Sequence, residues 1–166
     1  MKSVLRRLSA DDLPEYSALL RQGLVQHPEC FRIAPSDLED APAIMASEDS
    51  FTLGAFSEAG ALVGIVSFAR ERRQKMHHKG LLFRMLVAKE AAGQGVGRSL
   101  VRECVAQARH LPGLEAVVLT VVSSNTAARR LYASEGFVSF ALEPQALKHG
   151  TGYLDEEQMR LDLRSA

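Results

Sequence analysis

The sequence predicts an α/β fold of about seven strands interspersed with helices. Short β-branched runs recur along the chain, stretches with helical spacing interrupt them, and one run leads through a glycine turn straight into a helix. At 166 residues the chain fits one domain, 1–166, with a sizeable core.

Val4 to Leu8 reads as a short strand. Ser9 and Asp12 stand at capping-box spacing before a helix whose Leu13, Tyr16, Leu20 and Leu24 share one face, and Gly23 or His27-Pro28 ends it. Ser36 and Glu39 suggest a second cap, but Pro42 lies too far into that segment for a long helix, so a short or broken one is expected. Phe51 to Phe56 and Leu62 to Ala69 form a hairpin around Glu58-Ala59-Gly60. Lys79 to Val87 makes the next strand. Val96, Leu100, Val101, Cys104, Val105 and Ala108 then form a helical stripe, closed by Leu111-Pro112-Gly113. Ala116 to Val122 is a fifth strand, followed by a helix holding Tyr132. Two last strands, Phe137 to Leu142 and Gln158 to Leu163, are joined by an unusually long connection, Glu143 to Glu157.

The turn Gly93-Gln94-Gly95-Val96-Gly97 sits between the fourth strand and its helix. Unpaired N–H groups and the helix dipole favour a polyphosphate there, and a β-carbon would hold the phosphate away. A dinucleotide fingerprint would place a third glycine where Leu100 stands, and its acidic ribose ligand at the end of the next strand, whereas Glu115 lies at that strand's start. The Gly-Lys-Ser or Gly-Lys-Thr of a P-loop is missing. Arg98, in the first helical turn, opposes the dipole and reads as a phosphate ligand.

Lys plus Arg and Asp plus Glu balance at twenty each, which gives no electrostatic case for nucleic acid or a membrane surface. Cys30 and Cys104 read as buried thiols, no ligand spacing suggests a metal, and no apolar run suggests a signal peptide or a span. A cytoplasmic monomer or homodimer is expected.

Beyond the glycine turn, Asn125-Thr126-Ala127-Ala128-Arg129-Arg130-Leu131-Tyr132 is followed by Glu135-Gly136-Phe137. The order resembles the GNAT superfamily of N-acetyltransferases, where Asn-x-x-Ala-x-x-Leu-Tyr and Gly-Phe follow an Arg/Gln-x-x-Gly-x-Gly/Ala turn. His27 to Phe31, His78-Lys79-Gly80, Glu143 to Lys148, and Tyr153-x-Asp155-Glu156-x-x-Met159 look like one bacterial subgroup, so the likeness spans nearly the whole chain. Ala92 departs from it, because it stands where Arg or Gln usually leads the turn.

The resemblance implies a mixed, mostly antiparallel sheet flanked by helices, with acetyl-CoA as co-substrate, an amine acceptor and direct transfer in a ternary complex. It places the pantetheine beside the fourth strand, on the backbone of Met85 and Val87, with an N–H near Leu86 polarising the thioester. Gly93, Gln94, Gly95, Val96, Gly97 and Arg98 would hold the phosphates. Asn125 would hydrogen-bond the cofactor, cap its helix, or do both. Tyr132 would protonate the leaving thiolate. His27, Glu29, Phe31, Tyr153 and Asp155 would build the acceptor site, with Asp155 or Glu156 holding the ammonium. The general base stays open among His78, His27 and Glu29, with His78 read as a solvated turn residue. Arg70, Arg72, Arg73, Lys75 and Lys79 read as a solvated face rather than a steering patch for the CoA 3′-phosphate. A covalent cysteine route is weaker, since neither thiol sits in a cofactor motif. An acyl-CoA-binding sensor or interaction module that has lost catalysis is the rival reading, favoured by Ala92.

Overall fold

In the computed structural model, residues 2–39 and 44–164 are described, and Pro42 lies outside them. Seven strands form one sheet: β1 (Val4–Arg7), β2 (Ser50–Phe56), β3 (Leu62–Arg70), β4 (Lys79–Val87), β5 (Ala116–Val122), β6 (Val138–His149) and β7 (Gly152–Asp162). Their order is β1-β2-β3-β4-β5-β7-β6, with β4 and β5 parallel and every other neighbouring pair antiparallel. Among the described residues three α-helices join them: α1 (Leu13–Gln26), α2 (Val96–Arg109) and α3 (Thr126–Ser134).

Both faces of the sheet are covered. Ile65 on β3 pairs with Leu86 on β4, and Leu86 lies against Gly23 of α1. The neighbouring pair, Gly64 with Val87, points the other way, to Val96 and Leu100 of α2. A strand buried on both faces needs apolar residues at successive positions rather than alternation. Phe51 to Phe56 and Val63 to Phe68 accordingly form continuous buried runs. The polar groups inside these runs satisfy each other, Thr52 Oγ1 and Ser67 Oγ lying 2.8 Å apart.

The helix starts and stops follow local chemistry. The Asp12 carboxylate accepts the Ser9 N–H at 2.8 Å and grips the Arg6 guanidinium at 2.7 Å. Arg6 first, then the Ser9 N–H, holds that carboxyl far below the usual range. One turn of 3₁₀ helix, Ala10–Asp12, precedes α1. The buried stripe of α1 is Tyr16, Leu19, Leu20, Gly23 and Leu24. Leu13, expected on that face, is 40% exposed because it starts the helix beyond the edge of the stripe. Gly23 does not end the helix. It is interior, and the His27 N–H closes the last turn on its carbonyl at 2.9 Å. The segment after Ala34 forms the 3₁₀ turn Pro35–Glu39.

The long connection expected from Glu143 to Glu157 is instead regular structure. β6 and β7 are the two arms of an extended hairpin that turns at His149–Gly152, with Gly150 at φ +59°. β6 is the sheet edge, where Pro144 can sit without removing a ladder bond from a central strand. Register slips around Phe140 and between Glu143 and Leu147, and Gln145 takes φ +54° in the second of these bulges. Few apolar residues face inward there, so hydropathy carried no strand signal.

Gly23 gives a stability test. Gly to Ala inside a helix normally stabilises by about 1 kcal/mol, but a β-carbon here would meet both Leu86 methyls at 2.6 Å. Overpacking a filled core costs about 1–3 kcal/mol, so Gly23→Ala is expected to lower the melting temperature by a few degrees. A rise in thermal denaturation would show that α1 and β4 are not in contact at this point.

Candidate functional site

The site grows out of an unfinished strand pair. β4 and β5 are bonded only over Lys79–Leu81 and Ala116–Val118, yet they continue to Val87 and Val122. Beyond Leu81 the two strands diverge, and among the described residues their facing backbone groups have no strand partner. Buried N–H and C=O groups are nearly always paired, so such a gap is built for a ligand that supplies the bonds or for water. A cavity of about 870 Å³ fills it.

A bulge in β4 aims the gap. Ile65 pairs with Leu86 and Ser67 with Phe83, so Arg84 and Met85 together face the single residue Val66. Arg84 sits at φ +49°, a left-handed conformation that a non-glycine residue rarely holds outside a functional constraint. Its guanidinium donates to the Tyr16 hydroxyl at 2.9 Å. The Ala88 N–H donates to Val63 on β3, and alternation along the strand sends the Leu86 N–H to β3 as well. By the same alternation the Val87 N–H faces the gap, and Met85, Leu86 and Val87 all line the cavity beside the bulge.

At its far end the gap runs into the glycine turn. Gly93 and Gly95 take φ +73° and +81° with open space where a β-carbon would stand. Glycine is needed there for the backbone conformation, and the space it leaves lies over the start of α2. Gly97 differs, since a β-carbon would touch Met85 at 3.0 Å and Leu131 at 3.4 Å, so it serves close packing of α2 on β4 and α3. The first N–H groups of α2 have no intrahelical acceptor and open onto the same cavity as Ala92, Gly93, Gly95 and Gly97. Gln94 does not line it, and its amide donates to the Glu90 carbonyl. Arg98 does line it, but its guanidinium lies 3.1 Å from Glu135, which also holds Arg102 at 2.8 Å.

The Asn125 side chain accepts the Ala128 N–H at 3.2 Å, so it caps α3, and it also lines the cavity. Tyr132 reaches the cavity from α3 while only 6% exposed, packed edge-on to Phe137 with centroids 5.9 Å apart. Burial, with a small addition from Cys104, holds its phenol protonated well above the ordinary range. Burial likewise pushes the Cys104 thiol up to about 12.

The cavity passes through the sheet. Leu119 with Met159, and Val121 with Glu157, face α3, where Arg129 binds Glu157 at 2.8 Å. Thr120 with Gln158, and Val122 with Glu156, face the side of α1. On that side the 3₁₀ turn Pro28–Cys30 and the residues after it cover β5, so His27, Cys30, Phe31, Arg32 and Ile33 line the cavity with Glu156. Glu156 is 3% exposed and carries a bidentate ion pair with Arg32.

Other expected residues lie elsewhere. Tyr153 and Asp155 project from the opposite face of β7 to Glu156. Tyr153 is 55% exposed, and the Asp155 carboxylate accepts the Gln145 N–H at 2.8 Å, pinning the β6 bulge. Glu29 turns to His27 and Cys30, each 3.8 Å away, and is absent from the lining. His78 stands at the start of β4, remote from the gap, with its carbonyl bound by Glu115 and Ala116. The basic run occupies that same end, where Arg70 braces the carbonyls of His77 and Pro112. No sequence motif marks Arg32 or Arg84. Among the described residues, no group of three or more His, Cys, Asp or Glu side chains could hold a metal ion, and no helix is long and apolar enough to cross a membrane.

The family model for acetyltransferase (GNAT) domains matches residues 14–137. No curated protein sequence matches significantly. Among solved structures, a GNAT-family acetyltransferase from Streptococcus pneumoniae superposes with a TM-score of 0.83 at 24% identity, over 97% of this chain and 99% of that one. A GCN5-related N-acetyltransferase from Kribbella flavida gives 0.82 at 25% identity, over 96% and 97%. A phosphinothricin acetyltransferase from Sinorhizobium meliloti, solved with acetyl-CoA, gives 0.83 at 21% identity, over 98% and 89%.

The two thiols provide a check on the packing. Cys104 is fully buried, whereas Cys30 is partly exposed and lines the cavity. An aromatic disulfide reagent is expected to titrate one thiol per native chain, and the second only after unfolding. Cys30→Ser should abolish the native signal, and two equally fast thiols would contradict the placement of α2.

Proposed function

This chain belongs to the acetyltransferase (GNAT) family, and on that premise we propose that it moves an acetyl group from acetyl-CoA to a primary amine, directly, within a ternary complex. The observation that carries the reading is the β4–β5 gap, an unpaired strand edge running into a glycine turn at a helix N-terminus. An extended chain bearing amides can add to such an edge as a strand would, while its pyrophosphate meets the N–H groups of the turn. The neighbour solved with acetyl-CoA supports that choice of ligand.

When bound, acetyl-CoA supplies an activated acetyl group and a thiolate leaving group. The residues of this chain would do the rest. Val87 would offer its N–H to a pantetheine amide and Met85, just past the bulge, to the thioester carbonyl, where negative charge develops. Gly93 to Gly97 would cradle the phosphates through the backbone, with Asn125 fixing the start of α3 beside them. Arg98 would add charge only in part, since Glu135 already neutralises it.

Tyr132 would donate the proton that the departing sulfur needs. A phenol held above its ordinary value near 10 looks too weak an acid for a thiol of about 8.5 in water. The same dry environment lifts a neighbouring thiol, Cys104, to about 12. Exclusion of water raises a thiol as it raises a phenol, so the disparity between donor and thiolate narrows where the site is dry. The rival reading as an acyl-CoA sensor is supported by Ala92, which adds no side-chain contact to the turn.

Two variants test the assignment. Gly95→Val is expected to weaken acetyl-CoA binding at least tenfold by calorimetry, about 1.4 kcal/mol, and more than Arg98→Ala does. An unchanged affinity in folded Gly95→Val would remove the phosphate turn. Tyr132→Phe should keep cofactor affinity and lower kcat about a hundredfold with an amine found by panel screening. Wild-type turnover in that variant would leave Tyr132 as a packing residue, and silence across a broad amine panel would favour the sensor.

A further inference from the structure

The ion pair between Arg32 and Glu156 has unequal ends. The Glu156 side chain is 4% exposed, at the floor of the cavity on its α1 side, whereas the Arg32 side chain is 57% exposed. Arg32 Nε lies 2.9 Å from Oε1 and 3.1 Å from Oε2, and Nη2 lies 2.6 Å from Oε2. An exposed arginine can return to water at little cost, but a buried carboxylate stripped of its partner is strongly disfavoured. Whatever takes the place of Arg32 must therefore bring a positive charge, or the carboxylate must take up a proton.

The surroundings give the arginine somewhere to go. Glu143 stands directly opposite Glu156 in the β6–β7 ladder, so the two carboxylates project from one face. Arg32 feels both, Glu156 first through its hydrogen bonds and Glu143 more weakly through charge. Arg32 also follows the 3₁₀ turn Pro28–Cys30 in a segment without regular structure, between the cavity residues Phe31 and Ile33. A swing from one carboxylate to the other needs no change in the sheet.

We propose that Glu156 is the anchor for the acceptor's ammonium group and Arg32 its removable counter-ion, displaced toward Glu143 when the amine enters. One cation replaces another, so the buried carboxylate is never bare, and neutral or anionic molecules of similar size are refused. The identification of this cation as the acceptor rests on the acetyl-transfer reading. The cation site itself does not. Deprotonation of the amine follows binding and is outside the proposal.

The test uses ethylammonium chloride as probe and sodium chloride at equal ionic strength as control, followed by thermal denaturation. Arg32→Ala should melt below wild type, and ethylammonium should raise its midpoint by several degrees more than sodium does. The double variant Arg32→Ala/Glu156→Gln should show no such difference. Equal shifts with both salts in Arg32→Ala, or an ethylammonium shift that survives in the double variant, would overturn the proposal. Should Arg32→Ala not fold, Arg32→Gln takes its place with the same outcomes. With an amine substrate in hand, Glu156→Gln should raise its KM at least tenfold and leave acetyl-CoA affinity unchanged, and an unaltered KM would reject the anchor. Acetyl-CoA calorimetry on the same proteins separates the two readings, because an ammonium-specific shift without acetyl-CoA binding would defeat acetyl transfer and leave the cation site standing.

Discussion

Adjacent strands must exchange hydrogen bonds along their length or find other partners for each buried N–H and C=O. β4 and β5 meet this demand only over Lys79–Leu81 and Ala116–Val118, and the rest of the site depends on that shortfall. The bulge at Arg84 lies beside the gap, onto which the Val87 N–H faces. The glycine turn lies on the α2 side of the gap, and the Arg32–Glu156 pair on its α1 side. Because α1 packs on one face and α2 and α3 on the other, the gap is a passage with different chemistry at its two mouths. Backbone donors and a buried phenol line one side, and paired charges line the other.

Much of the frame could be read from residue pattern alone. The bounds of β4 and β5 follow from runs of apolar and β-branched residues, and the stripe of Val96, Leu100, Val101, Cys104 and Ala108 is the buried face of α2. Phe137 to Leu142 and Gln158 to Leu163 read as strands, but the outer part of the β6–β7 hairpin, Glu143 to Glu157, does not, because an edge strand such as β6 need not alternate. Pro144, Gln145, Lys148 and His149 carry no hydropathy signal, and the strand forms through its ladder with β7. That omission had a local consequence. Read as a loop, residues 153–157 have no faces, so nothing separated Asp155 from Glu156. In a strand, parity decides, and it directs Glu156 to the cavity and leaves Asp155 at the β6 bulge. Arg32 was invisible for a different reason, because its partner lies 124 residues away and no spacing rule reaches that far.

Charge beside the glycine turn was legible in kind but not in strength. Arg98 stands in the first turn of α2 beside the cavity, yet Glu135 couples it to Arg102 across the α2–α3 contact. Oxygen Oε1 of Glu135 is buried, and its approach to Arg98 lacks hydrogen-bond alignment. The arginine is thereby split between tying two helices together and facing the turn. With Ala92 contributing no side chain, the backbone carries most of whatever grip the turn has.

The strand order also fixes when the site can come into being. β7 lies between β5 and β6, so β5 stays without its second neighbour until nearly the whole sequence up to Asp162 is present. Pairings so distant along the chain are the slow ones, since loop closure must precede any return from the contact. Growing from the N-terminus, the polypeptide can assemble β1 to β4 with α1 early, but Glu156 and the far wall of the passage are supplied last. For that interval the free edge of β5 is exposed, a vulnerable stage of biogenesis set by topology rather than by any single residue.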